Sequence, residues 1–308
     1  MKTIKVFAPA SVANVGCGFD VLGFALMNPG DEIILKKKKT KGIRIINKTK
    51  YKSISINPEK NCAGKPLIAF LKKVGYNEGL EITMVKKIKP GSGIGSSAAS
   101  AAASVYAANE LFERPFLNKT LVEYGMIGES VASGSFHADN VAPSLLGGFI
   151  LLRSYSPLDI VSLPYPKGLY CALVHPDIEI KTIEARKILK KKVDFKKAIT
   201  QWGNVAGLVA GLASENYSLI GRSMEDVIVE PVRSRFIPNY YKVKNKAMEQ
   251  GALGCNIAGS GPSVFALCQN SDIAERVSRA MQNEFTKNNI SCDRYVSKIN
   301  PNGTITLS

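Results

Sequence analysis

The sequence predicts a two-lobed chain of mixed strands and helices, and three observations carry this. Its 308 residues suit one large domain or two ordinary ones, at about 100–200 residues each. Hydrophobic residues make up 45% and charged residues 21%, a globular balance with enough apolar material for a core. Strand-like and helix-like stretches intermix in both halves. That implies α/β or α+β layers, with the lobes joined near residue 155.

The first half opens with a short strand, Ile4 to Val6, that runs into a glycine loop, Ala8 to Phe19. Asp31 to Lys37 and Gly42 to Ile46 alternate as strands, and Tyr51 to Ile56 reads as another. Pro66 to Val74 is a helix with Leu67, Ile68, Phe70 and Leu71 on one side. Leu80, Ile82 and Met84 alternate with Glu81, Thr83 and Val85, the pattern of a strand. Ser96 to Phe112 is rich in alanine, without proline or glycine, so it is a helix buried on several sides. Leu117 to Ala132 is a further helix and Phe149 to Leu152 a buried strand.

The second half begins in a stretch with three prolines, Pro157 to Lys167. Leu169 to Val174, Ser263 to Cys268, Cys292 to Lys298 and Thr304 to Leu307 are its strands. Thr182 to Leu189, Phe195 to Ala213, Tyr217 to Val227, Tyr240 to Gln250 and Ile273 to Lys287 are its helices.

Composition also limits the function. Lys plus Arg number 41 against 25 Asp plus Glu, a net charge of +16. Such a surplus suits nucleic acid, an anionic membrane or a phosphorylated ligand. The basic runs at Lys36–Lys39, Lys72–Lys73, Lys190–Lys192 and Lys196–Lys197 are scattered and lack interleaved aromatics. A solvated face is therefore the better reading, and neither nucleic acid nor membrane is expected as a partner. The six cysteines show no C-x-x-C spacing, and only two histidines are present. Reduced thiols fit that pattern, and a zinc site does not. Val6 to Met27 contains Pro9, Asn14 and Asp20, which a signal sequence or membrane span would not carry. A cytoplasmic protein is expected.

The sharpest local feature runs from Pro90 through Gly91, Ser92, Gly93, Ile94 and Gly95 to Ser96, Ser97, Ala98 and Ala99. It follows a strand and opens a helix. Glycines let the backbone turn with positive φ and approach a ligand. The free N–H groups and dipole of the helix start attract an anion. One of Ser96 and Ser97 is expected as N-cap, the other as a phosphate or magnesium ligand. No lysine follows Gly95, so this is not a Walker A loop, and the glycine spacing is not that of a dinucleotide fold. Two further glycine clusters, Pro9 to Gly23 and Gly254 to Ala266, suggest one site assembled from distant segments.

These three segments together resemble the GHMP small-molecule kinases, over nearly the whole chain. The middle loop matches the family's nucleotide motif, P-x-x-x-G-[LI]-G-S-S-A-A, and the outer two match its terminal motifs. Ser11 to Leu26 and His137 to Gly148 are most similar to the members that phosphorylate homoserine. The resemblance implies an α+β fold of two lobes. The first, residues 1–156, would be an α/β domain with a left-handed βαβ crossover. The second, residues 157–308, would be ferredoxin-like, with the site in the cleft between.

The resemblance further implies transfer of the γ-phosphoryl group of ATP to L-homoserine, with Mg2+ as cofactor and a homodimer as the assembly. Phosphate would be cradled by Pro90 to Ala99, magnesium held by Ser97 and Glu129, and the nucleotide approached by Asn61. Lys86, Lys87 and Lys89 flank the loop. The zwitterionic acceptor needs cations for its carboxylate. Arg186 and Arg235 are implied, with Thr182 one helical turn before Arg186. Arg233 competes with Arg235, and the sequence does not choose between them. Asn14, Asp20, His137, Asn140 and Gly259 complete the substrate set. Where some relatives carry a catalytic aspartate this motif reads Asp139-Asn140. An amide is no base, so the expectation is that no side chain deprotonates the hydroxyl, with Asp139 as the rival.

Overall fold

Two antiparallel-dominated sheets organise the computed structural model, which describes residues 2–180 and 182–307. The first sheet has seven strands: β1 (Thr3–Ala13), β2 (Leu22–Lys38), β3 (Gly42–Asn47), β4 (Gly79–Val85), β5 (Phe149–Tyr155), β6 (Leu158–Leu163) and β11 (Ile305–Leu307). Its main path is β11-β1-β2-β4-β3, and the β5–β6 hairpin joins the other end of β2 through Leu22–Phe24. Among the described residues only β3 and β4 pair in parallel, and helix α1 (Gly64–Val74) connects them as a βαβ crossover.

The second sheet holds β7 (Tyr170–Pro176), β8 (Gly254–Ile257), β9 (Val264–Cys268) and β10 (Cys292–Lys298), in the order β10-β7-β9-β8. Every pairing in it is antiparallel. Between β7 and β8 run α5 (Thr182–Lys187), α6 (Phe195–Ala213), α7 (Tyr217–Ser223), α8 (Glu230–Arg233) and α9 (Tyr240–Glu249), and α10 (Ser271–Thr286) links β9 to β10. The first half adds α2 (Ser96–Leu111), α3 (Asn118–Ser133) and α4 (Val141–Leu146). No helix among the described residues is long and apolar enough to cross a membrane.

Helix α2 runs through the middle of the first lobe, in contact with β1, β2, α1, α3 and α4. Its alanines explain this placement. Ala98, Ala99, Ala101, Ala102, Ala103, Ala107 and Ala108 are all fully buried, because a methyl side chain lets neighbours approach from every side. A second apolar cluster lies between the second sheet and the α9–α10 pair, around Val174, Tyr240, Val243, Val277, Met281 and Phe285.

The structure departs from the sequence expectations at several elements. β1 continues to Ala13, through half of the stretch read as loop. Ala8, Ala10, Ser11, Val12 and Ala13 are buried on both faces, which erases the alternation that marks a half-exposed strand. β2 likewise starts at Leu22 rather than near Asp31. Tyr51 to Ile56 is turn and coil, not a strand. Strand β6 lies inside the proline stretch, because Pro157 and Pro164 bracket it rather than interrupt it. The boundary expected at 156/157 falls in the turn of the β5–β6 hairpin, and β6 and β11 pair within the first sheet.

Candidate active site

The loop after β4 turns through three glycines with positive φ, Gly91 at 74°, Gly93 at 81° and Gly95 at 69°. Two of them are also sterically required. A Cβ on Gly93 would lie 2.5 Å from Gly261 O, and one on Gly95 would lie 2.2 Å from Ser11 Oγ. Gly95, rather than a serine, is the N-cap of α2. The Ser96 hydroxyl instead donates to Ile88 O at 3.1 Å and the Ser97 hydroxyl to Glu129 Oε2 at 2.6 Å. The first backbone bond of α2 runs from Ala99 N–H to Gly95 O. The N–H groups of Ser96, Ser97 and Ala98 therefore have no helix partner, an arrangement that suits an anion.

Beneath the loop, buried Lys86 pairs with Asp31 and donates to Ser96 O at 2.8 Å and Ser100 Oγ at 2.6 Å. The other Asp31 oxygen accepts N–H groups of Lys87 at 2.9 Å and Ile88 at 3.0 Å. Lys87 bonds Glu32 and Lys89 pairs with Asp177. The three lysines flanking the loop are thus engaged with carboxylates.

The other glycine clusters close around this loop, as their composition suggested. Ser11 N–H donates to Ile94 O at 3.2 Å, Gly259 N–H to Ala13 O at 3.2 Å, and Ser263 N–H to Ser92 O at 3.3 Å. Their shared cleft is a cavity of about 600 Å³ that spans both lobes.

At one end of the cavity the Arg186 guanidinium grips Asp20 with two bonds, Nη2 to Oδ1 at 2.8 Å and Nη1 to Oδ2 at 3.0 Å. Arg233 lies alongside, donating to Gly259 O at 2.8 Å and Ala185 O at 3.3 Å. Both guanidiniums sit over the Phe19 ring, at 5.2 and 5.0 Å. Burial, then repulsion by Arg186, lowers Arg233 to about 10, so it remains charged at neutral pH. Asp20, with Asp139 and Asp226 further off, partly offsets the two cations. Asn14 holds the loop, taking Asp20 N–H at 3.1 Å and donating to Gly259 O at 2.8 Å. Thr182 Oγ1 meets Ser260 Oγ at 3.2 Å. His137 Nδ1 is 4.0 Å from Asp20, its buried Nε2 has no partner among the described residues, and burial lowers its pKa despite Asp20.

Between this pocket and the phosphate loop stand Glu129, Asp139 and Asn140. Glu129 opens onto the cavity but is surrounded by protein, and this desolvation pushes it up to about 7 against the Ser97 hydrogen bond. Burial, then repulsion from Asp20 and Glu129, pushes Asp139 up to about 7 as well. Asn140 accepts Ser11 Oγ–H at 2.9 Å, and its N–H donates to Asp139 Oδ1 at 3.1 Å.

The cavity lining includes Asn14, Asp20, Asn61, Pro90–Gly93, Gly95–Ser97, Glu129, His137, Asn140, Thr182, Arg186 and Gly259 from the sequence reading. Ile94, Ala98 and Ala99 are instead buried behind the loop. Arg235 is exposed and outside the cavity, while Arg233 is 3% exposed and inside it. The reason is helical phase: α8 ends at Arg233, and the following turn carries Arg235 to the surface. Asn61 reaches the cavity with its amide already committed, to Ser55 O, Ala63 N–H and Gly64 N–H at 2.6, 2.8 and 3.2 Å. Sequence reading missed Tyr155, whose hydroxyl donates to Asp20 O at 2.7 Å, and Asp31. Nothing local marks either residue, since both act through pairings distant in sequence.

Family models for the GHMP kinases N-terminal domain and the GHMP kinases C-terminal domain match residues 61–148 and 208–287. A homoserine kinase of Chloroherpeton thalassium is 46% identical over 316 residues, 99% of each chain. One of Methanococcus maripaludis is 38% identical over 98% of this chain and 97% of the relative. A crystal structure of homoserine kinase from Cytophaga hutchinsonii superposes with a TM-score of 0.97 at 50% identity, covering 100% of this chain and 98% of that one. L. major mevalonate kinase shares the fold, with a TM-score of 0.75 at 17% identity over 96% of each chain. On this combination of full-length identity, fold and assembled glycine loops, the chain belongs to the homoserine kinases of the GHMP kinase family.

Proposed function

We propose that this chain transfers the γ-phosphoryl group of ATP to the side-chain hydroxyl of L-homoserine, giving O-phospho-L-homoserine for threonine biosynthesis in the cytoplasm. The observation that carries the reading is the continuity of one cavity. A helix N-terminus with free N–H groups lies at one end, and the Arg186–Asp20–Arg233 group lies at the other. The first suits phosphate and the second suits an amino acid. The acceptor's carboxylate would meet Arg233 and Arg186, and its ammonium would meet Asp20. Mevalonate shares the carboxylate but has no ammonium, so it would forgo the contact with Asp20 that homoserine adds beside Arg186. This is the expected basis of selectivity.

Phosphoryl transfer depends on positioning and charge neutralisation more than on covalent chemistry. The amides of α2 and the loop would orient the phosphates. The adjacent hard oxygens of Ser97 and Glu129 fit magnesium, which commonly takes one or two protein groups beside phosphates. They would hold it, and when bound it supplies neutralisation of phosphate charge. Asn140 would position the acceptor, and the hydroxyl proton would leave to a phosphate oxygen. One observation favours a second reading. Asp139 lines the same cavity with a pKa of about 7, which suits a general base. Turnover abolished by Asp139→Asn but not by Asn140→Ala, with binding intact, would select the base.

The left-handed sense of the β3–α1–β4 crossover, the ferredoxin-like description of the second lobe and a homodimer belong to the same reading. Light scattering tests the last. The test of function is a coupled ADP-release assay with homoserine, mevalonate, galactose and serine. A rate with mevalonate well above that with homoserine would overturn the assignment.

A further inference from the structure

We propose that His175 is a positioning residue for the phosphate loop, acting through Ser263 from the opposite lobe. The inference rests on the ATP-binding part of the function proposed above. His175 lies on β7 of the second sheet, 3% exposed. Its Nδ1 is 3.1 Å from Ser263 Oγ, and Ser263 Oγ is 2.6 Å from Ser92 O. A carbonyl only accepts, so the single Ser263 hydroxyl proton points at Ser92 O. His175 must then present Nδ1–H to the hydroxyl oxygen. This fixes the tautomer: the proton sits on Nδ1, and buried Nε2 has no partner among the described residues.

The relay acts at a sensitive place. Ser92 and Gly93 begin the turn that aims the α2 amides into the cavity, and among the described residues Ser92 O accepts from Ser263 alone, from its hydroxyl at 2.6 Å and its backbone N–H at 3.3 Å. Gly93 also packs against Gly261 O and Ala258 O, so a shift in Ser92 would be passed along the loop. Around the imidazole stand Lys89, Asp177 and Asp293 as charged groups. Lys89 and Asp177 pair with each other across the lobes. Burial, then Lys89, lowers His175 to about 4. The ring is thus neutral, and the relay intact, across the physiological range.

Side-chain chemistry supplies a selective test. Asparagine places an amide nitrogen where histidine carries Nδ1, whereas leucine places no donor there. ATP affinity is measured by calorimetry, separately from steady-state KM for homoserine and from thermal midpoints. Ser263→Ala should weaken ATP about tenfold and His175→Leu about 3- to 10-fold, the loss of one buried hydrogen bond. His175→Asn should return affinity to within about twofold, and the Ser263→Ala/His175→Leu double variant should be no weaker than Ser263→Ala alone. The homoserine KM should not move. Unchanged ATP affinity with only a lower thermal midpoint would overturn the proposal. So would a multiplicative double variant, or His175→Asn as weak as His175→Leu. Calorimetry reads nucleotide alone, so an error in the acceptor assignment would show as absent turnover with these ATP effects intact.

Discussion

Replacing Arg233 separates substrate recognition from fold support at one residue. Arg233 is buried, donates to Gly259 O and Ala185 O, and lies beside Arg186 over the same ring. Burial and Arg186 lower it from 12.5 to about 10. At about 1.36 kcal/mol per pKa unit, roughly 3 kcal/mol opposes its charge in the empty pocket. A substrate carboxylate would offset much of that. Arg233→Met removes a charge-assisted contact worth about 1.5–3 kcal/mol, so the homoserine KM should rise about 10- to 150-fold. Folding stability should change less than that, because lost bonds to two carbonyls are offset by relief of the buried charge. Arg233→Lys keeps the charge without the planar fork and should fall between. Arg235→Ala should leave KM within about twofold, since its side chain is outside the cavity. Initial rates over a homoserine titration at saturating ATP decide the matter. An Arg235→Ala variant impaired as strongly as Arg233→Met would refute the reasoning, as would an Arg233→Met variant with unchanged homoserine KM.

Lys86→Met should destabilise the protein by about 3–5 kcal/mol in urea titrations by leaving Asp31 buried and unpaired, and pairing it with Asp31→Leu should recover part of that loss. Gly93→Ala should weaken ATP binding in calorimetry by more than about tenfold, since a φ of 81° and a Cβ 2.5 Å from Gly261 O force the loop to move. Asp139, raised to about 7, keeps a proton that the unfolded chain releases near its ordinary value. The stability from that proton is full below about pH 4 and is lost as pH rises to about 7, so Asp139→Asn should flatten this limb of a urea-midpoint profile. His175 has the opposite sign: its pKa of about 4 makes stability fall as pH drops from about 6.5 toward 4, and His175→Asn should remove that limb.

Much of this site was legible because its residues announce themselves locally. Gly91, Gly93 and Gly95 before an alanine helix specify a turn and an anion-binding helix end wherever the chain places them. Asp20 stood out as the only acid in its glycine loop, whereas Arg186 came from the family resemblance. The choice between two arginines depends on distance. Arg233 and Arg235 differ by two residues on a helical turn, and only the packing of α8 against Ala185 and Gly259 decides which guanidinium enters the cavity. Asn61 lines the cavity, and only the fold shows that its amide is also engaged by Ser55 O and the Ala63 and Gly64 N–H groups.

The sequence by itself determined the local chemistry: an anion-binding glycine turn, the buried alanine helix, strands and helices in alternation, and the family. The tertiary structure decided what those parts do together. It returned β11 to the first sheet, buried β1 on both faces so that its alternation vanished, and joined His175, Ser263 and Ser92 across the cleft. Turn and capping preferences act over a few neighbouring residues and can be read there. Burial, hydrogen-bond partners between lobes and pKa shifts depend on groups up to hundreds of positions apart, and they exist only once the chain has folded.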